Sequence, residues 1–133
     1  MKLITAYTVA AALLCQTAST LNTNCHPGGA KVSDIAGLFD RPDSPLSTFK
    51  DKYRISGLLT NTFATNGSAK MTMRRIFKPL FTLPGGSTHT TVPDVIEGIE
   101  EILFCCNEFH YDPCEGDSDL YGDQGDTVNI NIT

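Results

Sequence analysis

An α+β fold is predicted, an antiparallel β-sheet with one long helix and one or two short helices packed on a face. Three features of the 133-residue sequence point to it. Apolar residues recur at helical spacing between Thr91 and Cys106. Alternating runs flank Asn66-Gly67, and another alternating run ends the chain at Thr127–Thr133. Cys25, Cys105, Cys106 and Cys114 form an even set able to lace these elements into a disulfide-linked α/β sandwich.

Residues 1–19 read as a secretory signal peptide. Lys2 supplies a positive start, Leu3 to Cys15 is a weakly polar-to-apolar run, and small residues follow at Thr17, Ala18, Ser19 and Thr20. Cleavage near Ala18 or Ser19 removes Cys15. A lipoprotein signal ending at Cys15 is disfavoured by the bulk of Leu14. The run is too short to span a bilayer and no later stretch qualifies, so no membrane insertion is expected. Residues 20–133 leave room for a single extracellular domain.

Within that domain, Leu21 to Gly29 reads as a polar entry segment pinned by Cys25. Ser33 to Phe39 predicts a short helix capped by Ser33, with Ile35, Leu38 and Phe39 facing inward. A turn at Arg41–Pro45 leads to a brief helix with Ser44 as cap, placing Leu46, Phe49 and Tyr53 on one side. The hairpin around Asn66 is expected to have a three-residue loop, Thr65-Asn66-Gly67. That register sets Ile55 opposite Phe77, Leu59 opposite Met73 and Phe63 opposite Ala69, all apolar pairs. Lys70, Thr72, Arg74 and Lys78 then point outward, and Arg75 falls awkwardly on the inward side. Phe81 to Ser87 reads as a linker.

The helix that follows carries its own start signals. Thr91 and Asp94 resemble a capping box, and Pro93 in the first turn loses no needed N–H. Val92, Val95, Ile96, Ile99, Ile102, Leu103 and Cys106 share one face, with Glu97, Glu100, Glu101 and Glu108 opposite. Asp112 to Asp126 is acidic and glycine-containing, hence an expected loop. Val128, Ile130 and Ile132 alternate inward in a final strand. A bridge between the adjacent Cys105 and Cys106 would strain the peptide between them. One of the pair is therefore expected to join Cys25 and the other Cys114.

Charge is divided along the chain. Lys31 to Lys78 holds nine basic and four acidic side chains, whereas Asp94 to the end holds eleven acids and no Lys or Arg. The net charge of −5 argues against nucleic acid as partner. The division allows a basic face to meet an acidic partner.

Other candidate chemistry is weak. Cys105, Cys106, His110 and Cys114 have spacing compatible with zinc, but in an oxidising compartment thiols form bridges. Asp117-Ser118-Asp119 opens like a calcium loop, yet the twelfth position is Val128 where a glutamate is needed. His26, His89 and His110 stand in no recognisable nucleophile setting. No metal, cofactor or catalytic residue is expected, and a small hydrolase with unpaired carboxylates is the least favoured class. Asn66-Gly67-Ser68 is an N-glycosylation sequon at a hairpin tip, and Asn131-Ile132-Thr133 is a second. Arg74-Arg75 is a dibasic pair, read either as a processing site or as part of a paired strand.

The C-terminal third resembles the small secreted fungal killer toxins of the single-chain type from smut fungi, which interfere with calcium channels. The matching residues are Ile102-Leu103 before Cys105-Cys106, then Cys114, Gly116, Asp117, Leu120, Tyr121, Gly122, Gly125 and Thr127-Val128-Asn129-Ile130. The Asn24-Cys25 start with Gly28-Gly29 is also similar. This resemblance implies an α/β sandwich and a secreted, monomeric, non-enzymatic toxin acting on a surface protein of a target cell, such as a calcium channel. Lys70, Arg74 and Lys78, chosen from the outward hairpin face, are the expected partner-binding residues. The alternative is a secreted effector that binds another extracellular partner.

Overall fold

The computed structural model describes residues 20–49, 52–56, 61–76, 87–123 and 125–133. Its organising element is α2 (Val92–Glu108), seventeen residues long and preceded by Thr91 as N-cap. The Thr91 hydroxyl accepts from the Asp94 N–H at 3.2 Å, which satisfies one of the orphan donors of the first turn. Val95, Ile99, Ile102 and Cys106 are fully buried, and Val92, Ile96 and Leu103 pack at their margin. This is the stripe that the spacing predicts.

Among the described residues there are seven strands: β1 (Thr20–Ala30), β2 (Lys52–Ser56), β3 (Asn61–Asn66), β4 (Ala69–Ile76), β5 (Ser87–Thr91), β6 (Cys114–Tyr121) and β7 (Thr127–Ile132). Five form an antiparallel sheet in the order β1-β6-β7-β4-β3, and β2 pairs with β5 in a separate ribbon. The short helix α1 (Val32–Ala36) and a 3-10 turn (Pro45–Thr48) add Ile35, Leu38 and Leu46 to the core. The fold is α+β, with helices on one face of the sheet. Its core is shared by Met71 and Met73 of β4, Leu120 of β6, and Val128, Ile130 and Ile132 of β7. Each such side chain, fully buried, contributes about 1.5–3 kcal/mol. Gly98 packs α2 tightly against the sheet. A Cβ there would lie 2.7 Å from Ile130 Cδ1 and 3.1 Å from Leu120 Cδ2, so a branched residue would push the helix off its bed.

Two bridges fasten this helix. Cys25–Cys105 ties β1 to α2, and Cys106–Cys114 ties the end of α2 to the start of β6. Consecutive helical residues point about 100° apart, so the adjacent cysteines reach different strands. The sulfurs of Cys25, Cys106 and Cys114 lie within 4.8 Å of one another because the two bridges stand side by side. Being oxidised, they are not zinc ligands. With a sequence separation of 80, Cys25–Cys105 restricts the unfolded chain by about 4.5 kcal/mol in the loop-entropy model, whose mechanism is disputed.

Several expectations are corrected. The acidic stretch after Cys114 is not a loop until Tyr121 but the second strand of the sheet, and Leu21–Gly29 is its edge strand β1. Ser33 lies inside α1, whose N-cap is Lys31. Ser44 does precede the 3-10 turn, but its hydroxyl accepts from the Arg41 N–H, not from the helix. Phe49 is exposed and Tyr53 lies in β2. Ser87 begins a strand instead of ending a linker.

The hairpin register also differs. The turn is Gly67-Ser68, with Asn66 opposite Ala69, Ala64 opposite Met71 and Asn61 opposite Met73. Phe63 is an extra residue where the register shifts between Thr62 and Ala64. Ile55 pairs with Thr88 in the ribbon, while Leu59 and Phe77 fall outside the described residues. The cause is tertiary. Asp34 Oδ2 accepts from the Ser68 N–H at 2.8 Å and from its hydroxyl at 2.6 Å, and Asn66 Nδ2 donates to the Asp34 carbonyl at 2.9 Å. The turn is placed by docking on α1, which no local pattern encodes.

Candidate functional site

Alternation puts every second residue of the sheet on the side away from α2. On β4 these are Lys70, Thr72 and Arg74, on β7 Asn129 and Asn131, and on β6 Glu115, Asp117 and Asp119. Asn22, Asn24 and His26 of β1 continue the face, and all three are exposed. Register aligns these residues in rows across the strands. One row runs Asn24, Asp117, Asn131, Thr72, and the next runs Asn22, Asp119, Asn129, Arg74. The surface therefore passes from carboxylates on β6, through carboxamides on β7, to cations on β4.

Asn129 fixes the middle of this face and is only 9% exposed. Its Nδ2 donates to Asp117 Oδ2 at 3.0 Å and to Asp119 Oδ1 at 2.8 Å. Both amide hydrogens are thus used, and Oδ1 is left as an acceptor beside Arg74. Thr72, Arg74, Asn129 and Asn131 line a shallow depression of about 270 Å³. Hydroxyl, guanidinium and carboxamide groups converge there, suited to a polar, charge-bearing ligand.

Of the residues singled out in the sequence, Lys70 and Arg74 are exposed on this face, and Lys78 lies outside the described residues. Residues 1–19, expected from the sequence to be a signal peptide, also lie outside them. Asn66 is half-buried at the hairpin tip, and its Nδ2 is the donor to Asp34 noted above. A glycan on that nitrogen and this clamp are alternatives, because the position of a Cβ at Gly37 is already 2.2 Å from Asn66 Nδ2. Arg74 and Arg75 pair in the sheet with Asn129 and Val128 of β7, and Arg75 is 3% exposed. Cleavage after it would require the sheet to open.

Arg75 leads to residues that the sequence does not flag. Its Nε donates to Asp126 Oδ2 in a buried ion pair. Asp126 Oδ1 accepts from the Thr88 hydroxyl at 2.8 Å, and that hydroxyl also lies 3.3 Å from Asp123 Oδ1. Asp123 in turn accepts from the His89 N–H at 2.9 Å and from His89 Nδ1 at 3.0 Å, and its own N–H donates to the His89 carbonyl at 3.1 Å. A polar chain thus runs from the core to a cleft of about 180 Å³ lined by His89, Asp94, Tyr121 and Asp123. Gly122 is a requirement of this arrangement, since a Cβ there would sit 2.3 Å from both Asp126 Oδ1 and Thr88 Oγ1. The only hint in the sequence is Arg75 itself, a charge on an inward position. Its partner lies 51 residues away.

On α2, Glu97, Glu100 and Glu101 cluster on the solvent side. Partial burial, then the neighbouring Glu97 and Glu100 charges, raise the Glu101 carboxyl above its ordinary range. Compared with known proteins, the chain matches no family model and no curated sequence.

Proposed function

We propose that this is a secreted, killer-toxin-like protein that acts without catalysis at the surface of a target cell, where its sheet face binds a surface protein such as a calcium channel. The observation that carries this reading is the open sheet face. It is polar, held in fixed register, and bears exposed Lys70 and Arg74 beside the Asn129 acceptor. Such a surface suits recognition of acidic groups by charge and hydrogen bonding. Two disulfides support an oxidising compartment, and among the described residues no helix is long and apolar enough to cross a membrane. The toxin class itself comes from the resemblance of the C-terminal third.

The test is the variant Lys70→Ala/Arg74→Ala. Both side chains are exposed, so thermal unfolding should change by no more than the equivalent of about 0.5 kcal/mol per site. Calcium uptake by sensitive cells should respond to the parent chain and lose that response in the variant. Full activity in the variant removes the sheet face from the account. No calcium response to the parent at high dose removes the channel.

A second reading, an effector for another extracellular partner, is favoured by Asp117 and Asp119 on the same face. They make the surface mixed in charge, and a purely acidic channel mouth would be repelled along β6.

A further inference from the structure

We infer that the depression on the outward sheet face binds a neutral glycan, whose sugar hydroxyls hydrogen-bond across β6, β7 and β4. This inference rests on the sheet-face reading above and names the chemistry of the group recognised.

Much of the hydrogen-bonding capacity of this face is unspent. Asn129 is nine-tenths buried and gives both amide hydrogens to Asp117 and Asp119, while its Oδ1 accepts no hydrogen bond among the described residues. Thr72, Arg74 and Asn131 line the depression with it. Among the described residues the Arg74 guanidinium has no ion-pair partner, and the side chains of Thr72 and Asn131 make no hydrogen bond. An acceptor on a side chain so nearly enclosed is satisfied by a donor from water or from a ligand.

The order of the groups selects the ligand. Along one row Asp119 offers only acceptors, Asn129 a free acceptor, and Arg74 only donors. Each step along the row crosses one strand, about 4.8 Å, and no ion pair joins Asp119 to Arg74 among the described residues. A phosphate or carboxylate would suit Arg74 but be repelled by Asp119 and by Asn129 Oδ1. An ammonium would suit Asp119 and be repelled by Arg74. A hydroxyl both donates and accepts, so neighbouring hydroxyls of one sugar satisfy the whole row without net charge. Glu115, Asp117 and Asp119 on β6 stand against Lys70 and Arg74 on β4, with His26 at the margin, so the described face has no single-signed field to draw in an ion.

Shape agrees. The row Asn24, Asp117, Asn131, Thr72 runs beside the first, so polar side chains continue past a single sugar ring. Tyr121, the next outward residue of β6 after Asp119, is 52% exposed and offers a ring on which the C–H side of a sugar can lie. The four residues lining the depression are all polar and include no aromatic or aliphatic anchor of the kind that a protein–protein hot spot uses.

The experiment uses the full oxidised chain, isotope-labelled and made in a host that adds no N-glycans, so that Asn131 is bare. It is titrated separately with mannohexaose, laminarihexaose and chitohexaose, the first standing for protein-borne glycans and the others for wall polysaccharides. Hexaethylene glycol, which only accepts, and inorganic phosphate are the controls. Saturable amide-shift changes at Thr72, Arg74, Asn129 and Asn131 are expected with at least one oligosaccharide and with neither control, and the responding sugar identifies the source. Arg74→Ala should weaken binding about tenfold and Asn131→Ala about fivefold, with thermal unfolding nearly unchanged. Absence of saturable shifts with all three sugars, an equal response to either control, or unchanged affinity in both variants would overturn the assignment. Any of these would do so even where Lys70→Ala/Arg74→Ala abolishes calcium uptake, so the glycan and the sheet-face reading fail separately.

Discussion

Replacing Asp126 by asparagine should cost about 3–5 kcal/mol, the range for breaking a buried ion pair while one charge stays behind. The side chains of Arg75 and Asp126 are 3% and 0% exposed, so water cannot substitute for the lost carboxylate. Asparagine keeps the shape of Asp126 and can still accept from the Thr88 hydroxyl, but its Nδ2 then faces the Arg75 Nε–H donor to donor, so both the charge and the hydrogen bond to Arg75 are lost. A domain of this size has about 5–15 kcal/mol in total, so the variant gives up a large share. In urea, with the disulfides intact and a slope of about 1–3 kcal/mol per molar, the midpoint should fall by about 2 M. The double variant Arg75→Met/Asp126→Asn removes the guanidinium as well and should recover part of the loss. A cost below about 1 kcal/mol in the single variant, or no recovery in the double, would refute the reasoning that this pair is dry and mutually dependent.

Other variants test the remaining electrostatics. The Asp34 carboxyl is held below the ordinary carboxylate range, chiefly by the Ser68 hydroxyl, then by the Ser68 N–H, with Lys31 adding its charge. Its contribution is present above the unfolded value and is lost as pH falls through the depressed folded value. Asp34→Asn should therefore lower the melting temperature at neutral pH, and the deficit should shrink on acidification below about pH 4; a deficit independent of pH would contradict the clamp. Glu101 is raised, so its sign is opposite: the folded state binds its proton more tightly and loses stability as pH rises through the raised value. Glu101→Gln should stabilise by about 0.2–0.5 kcal/mol at neutral pH, judged by thermal melts, and the gain should vanish in acid.

What was legible in the sequence follows from the range of the interactions. Helix α2 announces itself because its stripe and its Thr91 cap are local. Strand β7 does so through Val128, Ile130 and Ile132, all fully buried. The outward set on β4 is readable by the same alternation, even though the turn is misplaced. Strand β6 is not, since its inward residues are Cys114, Gly116, Ser118 and Leu120, a mixture without β-branched or aromatic signal. Its edge neighbour β1 contains Pro27, Gly28 and Gly29, which read as loop residues and here accompany an irregularity in the ladder. Gly116 illustrates why composition misleads: a Cβ there would meet the Asn24 carbonyl at 2.5 Å, so close strand packing demands the residue that hides the strand. The cleft was illegible for a related reason. His89 lies on a strand of five residues, and Asp123 lies in the turn between β6 and β7, far along the chain.

Two separate bridges bolt α2 to the sheet, and the placement of every other element follows from them. Protein purified without reduction, digested and fragmented between Cys105 and Cys106, would yield the linkage map directly. The structure requires Cys25 joined to Cys105 and Cys106 joined to Cys114, with no free thiol among the four. Free thiols at these positions, or Cys25 joined to Cys106, would contradict it.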